Sequence, residues 1–230
     1  MEGHYEVTEP SLAALDAAKA LLSDVDSLLD HHPNNKDPKP GRPAGAGYGP
    51  LLRSCVALCY TAWEVYVEES LLESVRYFVR HGSPEELPEA LQQWVVGLKP
   101  SPWAFVGEAW GDTVIQLAEA RIYGDAQGRY GFNTASVSNV ESLFNEVLGY
   151  SPLYGIRWQK KTNTAVRKDI SELVRIRGEI VHRGTTPGSL NLSGVRSWAS
   201  FVSRLCERVD EQLVAFREGQ LKALPEELPA

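Results

Sequence analysis

Ala and Leu dominate the stretch from Ser11 to about Asp30 and predict a first helix. The run "HHPNNKDPKPGRPAGAGYGP" follows, too rich in Pro, Gly and Asn for regular structure, so it reads as a loop or linker. Its length leaves open whether the first helix docks tightly or loosely. Leu51 to Arg80 carries the strongest helical pattern. Leu52, Cys55, Val56, Cys59, Trp63, Tyr66 and Val67 share one broad face, and Leu58, Val65 and Leu72 lie off it. A helix apolar on more than one side belongs at the centre of a bundle. Its polar groups Arg53, Tyr60, Glu64 and Glu68 fall on a narrow line. That line either meets water between neighbouring helices or serves charge brought by another helix.

Further helices are marked by their caps. "SPEE" predicts a third helix at Ser83, with Glu86 closing a capping box and Pro84 in the first turn. "SPWA" at Ser101 offers a similar start. "GDAQGRYGFN" reads as a turn, and a helix should begin between Thr134 and Ser138 and end at Gly149, with Ser138 and Glu141 at capping-box spacing. "GYSPLYGIRW" breaks the chain again. Helices are then expected from about Thr164 to His182 and from Ser193 to about Glu218. No stretch favours a strand, because each β-branched cluster lies inside a longer 3.6-residue period. The expected fold is an all-α bundle of five to seven helices. Its parts are an N-terminal helix (1–32), a Pro/Gly-rich loop or linker (33–50), a helical domain (51–220) and a C-terminal tail (221–230).

Composition narrows the class only slightly. An apolar fraction of 43% and a charged fraction of 23% are ordinary for a globular chain. No apolar run reaches the roughly 18 residues of a membrane span, and the acidic start is unlike a secretion signal. The expected location is the cytoplasm, with no membrane partner. Cys55, Cys59 and Cys206 have neither the parity of a disulfide framework nor a Cys-x-x-Cys pair, so reduced structural thiols are expected. The net charge of −7 argues against a general nucleic-acid coat. Charge is segregated, however. Between Arg157 and Arg183 stand eight Lys or Arg and three acids, giving +5 and leaving −12 elsewhere. A local basic surface can still gather phosphate-bearing partners.

The helix ending at His182 concentrates the chemistry. Val166, Ile170, Leu173, Val174, Ile180 and Val181 form an apolar sector, and steps of about 100° put Arg177 near its middle. A charge there must be paired or must face a cleft or a seam between subunits. Arg175 and Lys168 project elsewhere as solvated cations. His182 stands about 140° round from Arg177; fraying before Gly184, or a symmetric partner, can bring the two groups together. An imidazole can move a proton in phosphoryl chemistry, and a guanidinium can stabilise charge on the transferred group. The ordinary alternative is a surface histidine near a helix end.

The segments "LLRSCVALCYTAWEVYVEESL", "GFNTASVSNVESLFNEVLG", "ELVRIRGEIVHRG" and "VRSWASFVSRLCERVDEQL", over roughly residues 50–215, resemble HEPN domains, specifically the RiboL-PSP type of bacterial conflict systems. The shared pattern is an Arg, four to six residues, then a His near a helix end. Arg177 and His182 match it with four residues between. The resemblance implies an all-helical homodimer that cuts RNA without a metal or other cofactor. It would leave 2′,3′-cyclic phosphate and 5′-hydroxyl ends, in a defence or toxin–antitoxin-like setting with an antitoxin or other defence protein as a possible further partner. Arg177 and His182 would be the catalytic pair at the dimer cleft. One position departs: active relatives often carry a polar residue, frequently Asn, after the Arg, where this chain has Gly178. Glycine loosens a helix by about 1 kcal/mol relative to alanine, and it permits close backbone approach at a seam.

Around this pair, Glu64 is the candidate partner that offsets Arg177, with exposure between helices as the alternative. Arg183, Arg157, Lys160, Lys161 and Arg167 are candidates for RNA backbone, each of them equally able to be a solubilising charge. Tyr150, Tyr154 and Trp158 can stack bases or pack turns. His31 and His32, near Asp30 and Asp37, lack a structured metal-ligand set. "GRPAGAG" lacks the strand and the Lys-Ser/Thr of a phosphate loop. A non-catalytic RNA- or protein-binding module is the alternative function, and a dimerisation domain a third.

Overall fold

One long helix organises the molecule. A computed structural model describes residues 13–36, 48–124, 131–184 and 190–222. Within them run α1 (Ala14–Leu29), α2 (Pro33–Lys36), α3 (Gly49–His81), α4 (Glu89–Gly97), α5 (Trp110–Tyr123), α6 (Val137–Leu148), α7 (Asn163–Arg183) and α8 (Leu192–Lys222). Short 3₁₀ turns occupy Pro84–Glu86, Pro102–Phe105 and Gly107–Ala109. The described residues contain no strand, only an isolated bridge between Trp158 and Lys161. The bundle is therefore all-α, with eight α-helices where five to seven were expected; the short α2 is one reason. None of the described helices is long and apolar enough to cross a membrane.

The 33 residues of α3 span about 50 Å. Most of its surface is buried, with Cys55, Val56, Cys59, Trp63, Tyr66, Leu71, Val75 and Phe78 at or near zero exposure, while a line through Ala57, Thr61, Glu64 and Glu68 stays half-buried. The apolar all-round pattern of this segment demands neighbours on each face, and α1, α5, α7 and α8 supply them. The first helix docks fully. Ala14, Ala18, Leu22, Val25 and Leu29 enter the same core as α3. Glu73 of α3 pins it there, accepting from the Ala14 N–H at 3.1 Å and from Arg217 of α8 at 3.1 Å. All three cysteines are buried thiols.

Local rules explain where the helix limits differ from expectation. The Ser83–Glu86 capping box forms, but it closes a single 3₁₀ turn. Pro88 forces Leu87 into extended backbone, so α4 starts only at Glu89. The start at Ser101–Pro102 is likewise a 3₁₀ turn, and α5 begins at Trp110. Ser136, rather than Ser138, caps α6 by accepting from the Asn139 N–H. Pro33 opens α2 inside the expected loop, and α3 begins at Gly49 with Pro50 in its first turn. Most of that loop, the middle of the Gly124–Asn133 turn and the C-terminal tail lie outside the described residues.

Helix α7 is set by three devices. Thr162 caps its N-terminus, accepting from the Ala165 N–H at 3.3 Å. The Asn163 amide donates to the Leu153 and Ile156 carbonyls at 2.8 and 3.1 Å, fixing the approach. Arg167 grips Glu141 of α6 with both terminal nitrogens, Nη2 to Oε2 at 2.9 Å. This fork holds the Glu141 carboxyl below its ordinary value. A carboxyl so lowered contributes in full above the ordinary carboxylate range, and the contribution is lost as pH falls through the lowered value. Urea unfolding across a pH series should therefore show the parent losing stability below about pH 5. Glu141→Gln should be less stable at neutral pH and show a shallower acid loss.

Candidate functional site

The described part of the candidate site begins on α3. Tyr60, 1% exposed, uses its hydroxyl twice. The hydroxyl accepts from the Ala135 N–H at 3.0 Å and donates to Glu64 Oε1 at 2.8 Å. One turn on, Trp63 Nε1 donates to the Ala135 carbonyl at 2.8 Å. Both ends of the Ala135 residue are thus fastened to α3, which anchors the "FNTA" segment directly before α6. Burial and the neighbouring Glu64 carboxylate push the Tyr60 phenol up, so it stays a neutral donor.

Arg177 lies over the outer face of that same tyrosine, with Cζ 5.1 Å from the ring centroid. This is cation–π geometry. The direct Arg177–Glu64 ion pair expected from the sequence does not form. Glu64 reaches Arg177 only through Tyr60, as a relay of guanidinium, ring, hydroxyl and carboxylate. The expected apolar sector is also rotated. Ile176 is buried, Val181 is 53% exposed, and Arg177 sits half-buried at the sector's edge. Among the described residues, Arg177 has neither a hydrogen bond nor an ion pair. Farther along the α3 polar line, Glu68 is half-buried beside Glu64 and Glu69, and its carboxyl is pushed up to about 7 by burial first and those charges second.

His182 is exposed in the last turn of α7. The fraying expected before Gly184 does not occur. Helical structure continues to Arg183, and Gly184 closes it at φ 62°, its N–H donating to the Ile180 carbonyl at 3.1 Å. Five residues of intact helix separate Arg177 and His182 by about 7.5 Å of rise and about 140° of rotation. One chain alone does not converge them.

The basic candidates divide. Arg167 is committed to Glu141, and Lys161 to Asp169 with its ammonium 4.6 Å from the Phe201 ring. Arg157, Lys160 and Arg183 are exposed and make no ion pair among the described residues. Arg175, expected to be solvated, is exposed and bridges Glu172 and Glu179. Of the aromatic candidates, Tyr150 is stacked on Phe216 at 4.3 Å, Trp158 packs near Phe201, and Tyr154 is 81% exposed. His32 is buried against Tyr48, and no described cluster of three His, Cys, Asp or Glu could hold a metal ion.

Sequence reasoning missed two features. Tyr60 was on the polar line without an assigned role, although its position three residues before Trp63 and four before Glu64 puts all three on neighbouring helical positions. Arg196 and Arg204 of α8 were passed over entirely. With Ser193, Ser197 and Ser200 they recur at helical spacing on one face, a signal that was present in the sequence. Compared with family models, curated proteins and solved structures, the chain gives no match.

Two substitutions test this geometry. Tyr60→Phe keeps the ring beneath Arg177 but strands the buried Ala135 N–H, and should cost about 1–3 kcal/mol in urea unfolding. Around Gly178 an added Cβ meets nothing within 4 Å. Gly178→Ala should therefore stabilise the single chain by roughly 0.5–1 kcal/mol, read as a raised Tm in dilute protein.

Proposed function

We propose that the chain is a metal-independent endoribonuclease that works as a homodimer, in a defence or toxin–antitoxin-like setting. The observation carrying this reading is the state of Arg177. It is a half-buried cation held on an aromatic face, without a carboxylate in contact among the described residues, on the same helix as an exposed imidazole. A guanidinium so placed is available to a phosphodiester, and its backing by Tyr60 and Glu64 limits its reorientation.

In this mechanism one His182 takes the proton from an RNA 2′-hydroxyl. The 2′-oxygen then attacks the adjacent phosphorus, and the bond from phosphorus to the 5′-oxygen breaks. The second His182 of the dimer protonates the departing 5′-oxygen, while Arg177 stabilises the charge on the five-coordinate phosphorus. The products are a 2′,3′-cyclic phosphate and a 5′-hydroxyl. Two copies are needed because the residues of one α7 point about 140° apart.

The same separation, together with Gly178, favours a second reading: a non-catalytic module that binds RNA or a protein partner. One experiment separates the two. The dimer is incubated with a broad pool of single-stranded RNAs in excess chelator, and product ends are analysed. The nuclease reading expects cleavage to cyclic-phosphate ends, reduced at least about 100-fold by His182→Ala or Arg177→Gln with urea unfolding of His182→Ala unchanged. An intact dimer that cuts no RNA in the pool transfers the assignment to the binding module.

A further inference from the structure

A second polar surface lies away from the end of α7. Its floor is one face of α8, where Ser193, Arg196, Ser197, Ser200, Phe201 and Arg204 recur at spacings of three and four. Its wall is the turn from Trp158 to Lys161, closed by a reciprocal pair of backbone hydrogen bonds of 3.2 and 2.9 Å, with Lys160 at φ 65°. Together they enclose a cleft of about 420 Å³. At Arg196 and Ser200 it meets a further cleft of about 510 Å³, whose opposite side is Lys19, Ser23 and Asp26 of α1.

The lining of the first cleft has a definite chemistry. Among the described residues it contains three cations, three serine hydroxyls and two aromatic rings, and no acid. Lys161 is held at the rim by Asp169 and by the ring of Phe201, so its position is set before any ligand arrives. Among the described residues Arg196 reaches the neutral amide oxygen of Asn35 and makes no ion pair. Arg204 is joined to Glu207 on the same helix at 2.9 Å, an exchangeable surface pair. Trp158 is half-buried at the wall, its ring 6.0 Å from that of Phe201. Cations alternating with hydroxyls suit phosphate and ribose oxygens, and an adjacent aromatic face suits an unpaired base.

We propose that this cleft is an RNA-binding groove separate from the Arg177–His182 helix end, in which Lys161, Arg196 and Arg204 hold phosphates of a single strand and Trp158 stacks a base. The proposal rests on RNA being the ligand of this protein, but not on the protein cutting it. It explains why a chain of net charge −7 can engage a polyanion. Three cations converge on the cleft, and the surface carboxylates of Asp169 and Glu207 that two of them hold can give way to an incoming phosphate.

The test uses the full chain and a fluorescein-labelled, fully 2′-O-methylated oligouridylate, a strand that no 2′-hydroxyl mechanism can cut. Binding is followed by fluorescence anisotropy over a salt series. The combined variant Arg196→Gln with Arg204→Gln should weaken binding at least about tenfold and flatten the log–log salt slope by about 1.4, since each contact with a single strand contributes about 0.7. Arg80→Gln with Lys99→Gln removes equal charge from other exposed positions and should leave affinity and slope unchanged. Ser200→Glu, a single exposed helix position, should weaken binding as well and serves if the combined variant does not fold. Equal losses in the cleft and control variants, no loss in the cleft variants, or no binding of the oligonucleotide by the parent would each overturn the groove. Because the strand is uncleavable, a failed nuclease assay leaves this result intact. Conversely, RNA cleavage with normal binding by the cleft variants would sink the groove alone.

Discussion

The Ala135 residue is gripped at both its N–H and its carbonyl by α3, and the arrangement around Arg177 depends on that grip. The cause is the burial of α3. The buried faces of this helix offer few places to satisfy the polar ends of Tyr60 and Trp63, and an exposed strand of loop would leave the Ala135 groups solvated instead. Bringing the two together satisfies buried donors and acceptors at once. It also places Ser136 where it can cap α6. Helix α6 then holds α7 through Glu141 and Arg167, and α7 returns Arg177 to the ring of Tyr60. The path from α3 through α6 and α7 back to α3 is closed, so the guanidinium is positioned by the whole circuit rather than by one neighbour.

Much of the architecture was legible because burial writes itself into residue type. The all-round apolar character of α3 demanded a central place, and Gly149 and Gly184 marked the ends of α6 and α7, where both adopt left-handed backbone. Helix starts were less legible. Ser83 and Glu86 have the spacing of a capping box whether they open a long helix or one 3₁₀ turn, and only Pro88 distinguishes the cases. Ser136 and Ser138 compete for one cap, and the choice follows from where Ala135 is anchored, a contact across 75 positions that local pattern cannot express. The docking of α1 was hidden similarly, because its apolar stripe has the same spacing whether or not a long loop lets it reach the core.

The candidate site shows the same division. Spacing singled out Arg177 and His182, and it gave Arg177 a reason to need a partner. It suggested a carboxylate because charge asks for charge, whereas the structure supplies the face of Tyr60 and keeps Glu64 behind the hydroxyl. The basic run from Arg157 to Arg183 was a property of sequence position, not of surface. Arg167, Lys161 and Arg175 are engaged by acids on their own or neighbouring elements, so the net excess of the run is spread thinly. A second group of cations is assembled in three dimensions from Lys161 and two arginines of α8, more than thirty positions away in the chain.

The three cysteines carry a practical consequence. Cys55 and Cys59 on α3 and Cys206 on α8 are fully enclosed, and burial pushes the first two thiols up to about 11 and about 12. Neither an alkylating reagent nor an oxidant finds a thiolate there while the helices stay together. Each sulfur becomes reactive only when the α1–α3–α8 layer parts, so the chain carries its own chemical clock: the pace of labelling at these positions reports how often the interior opens.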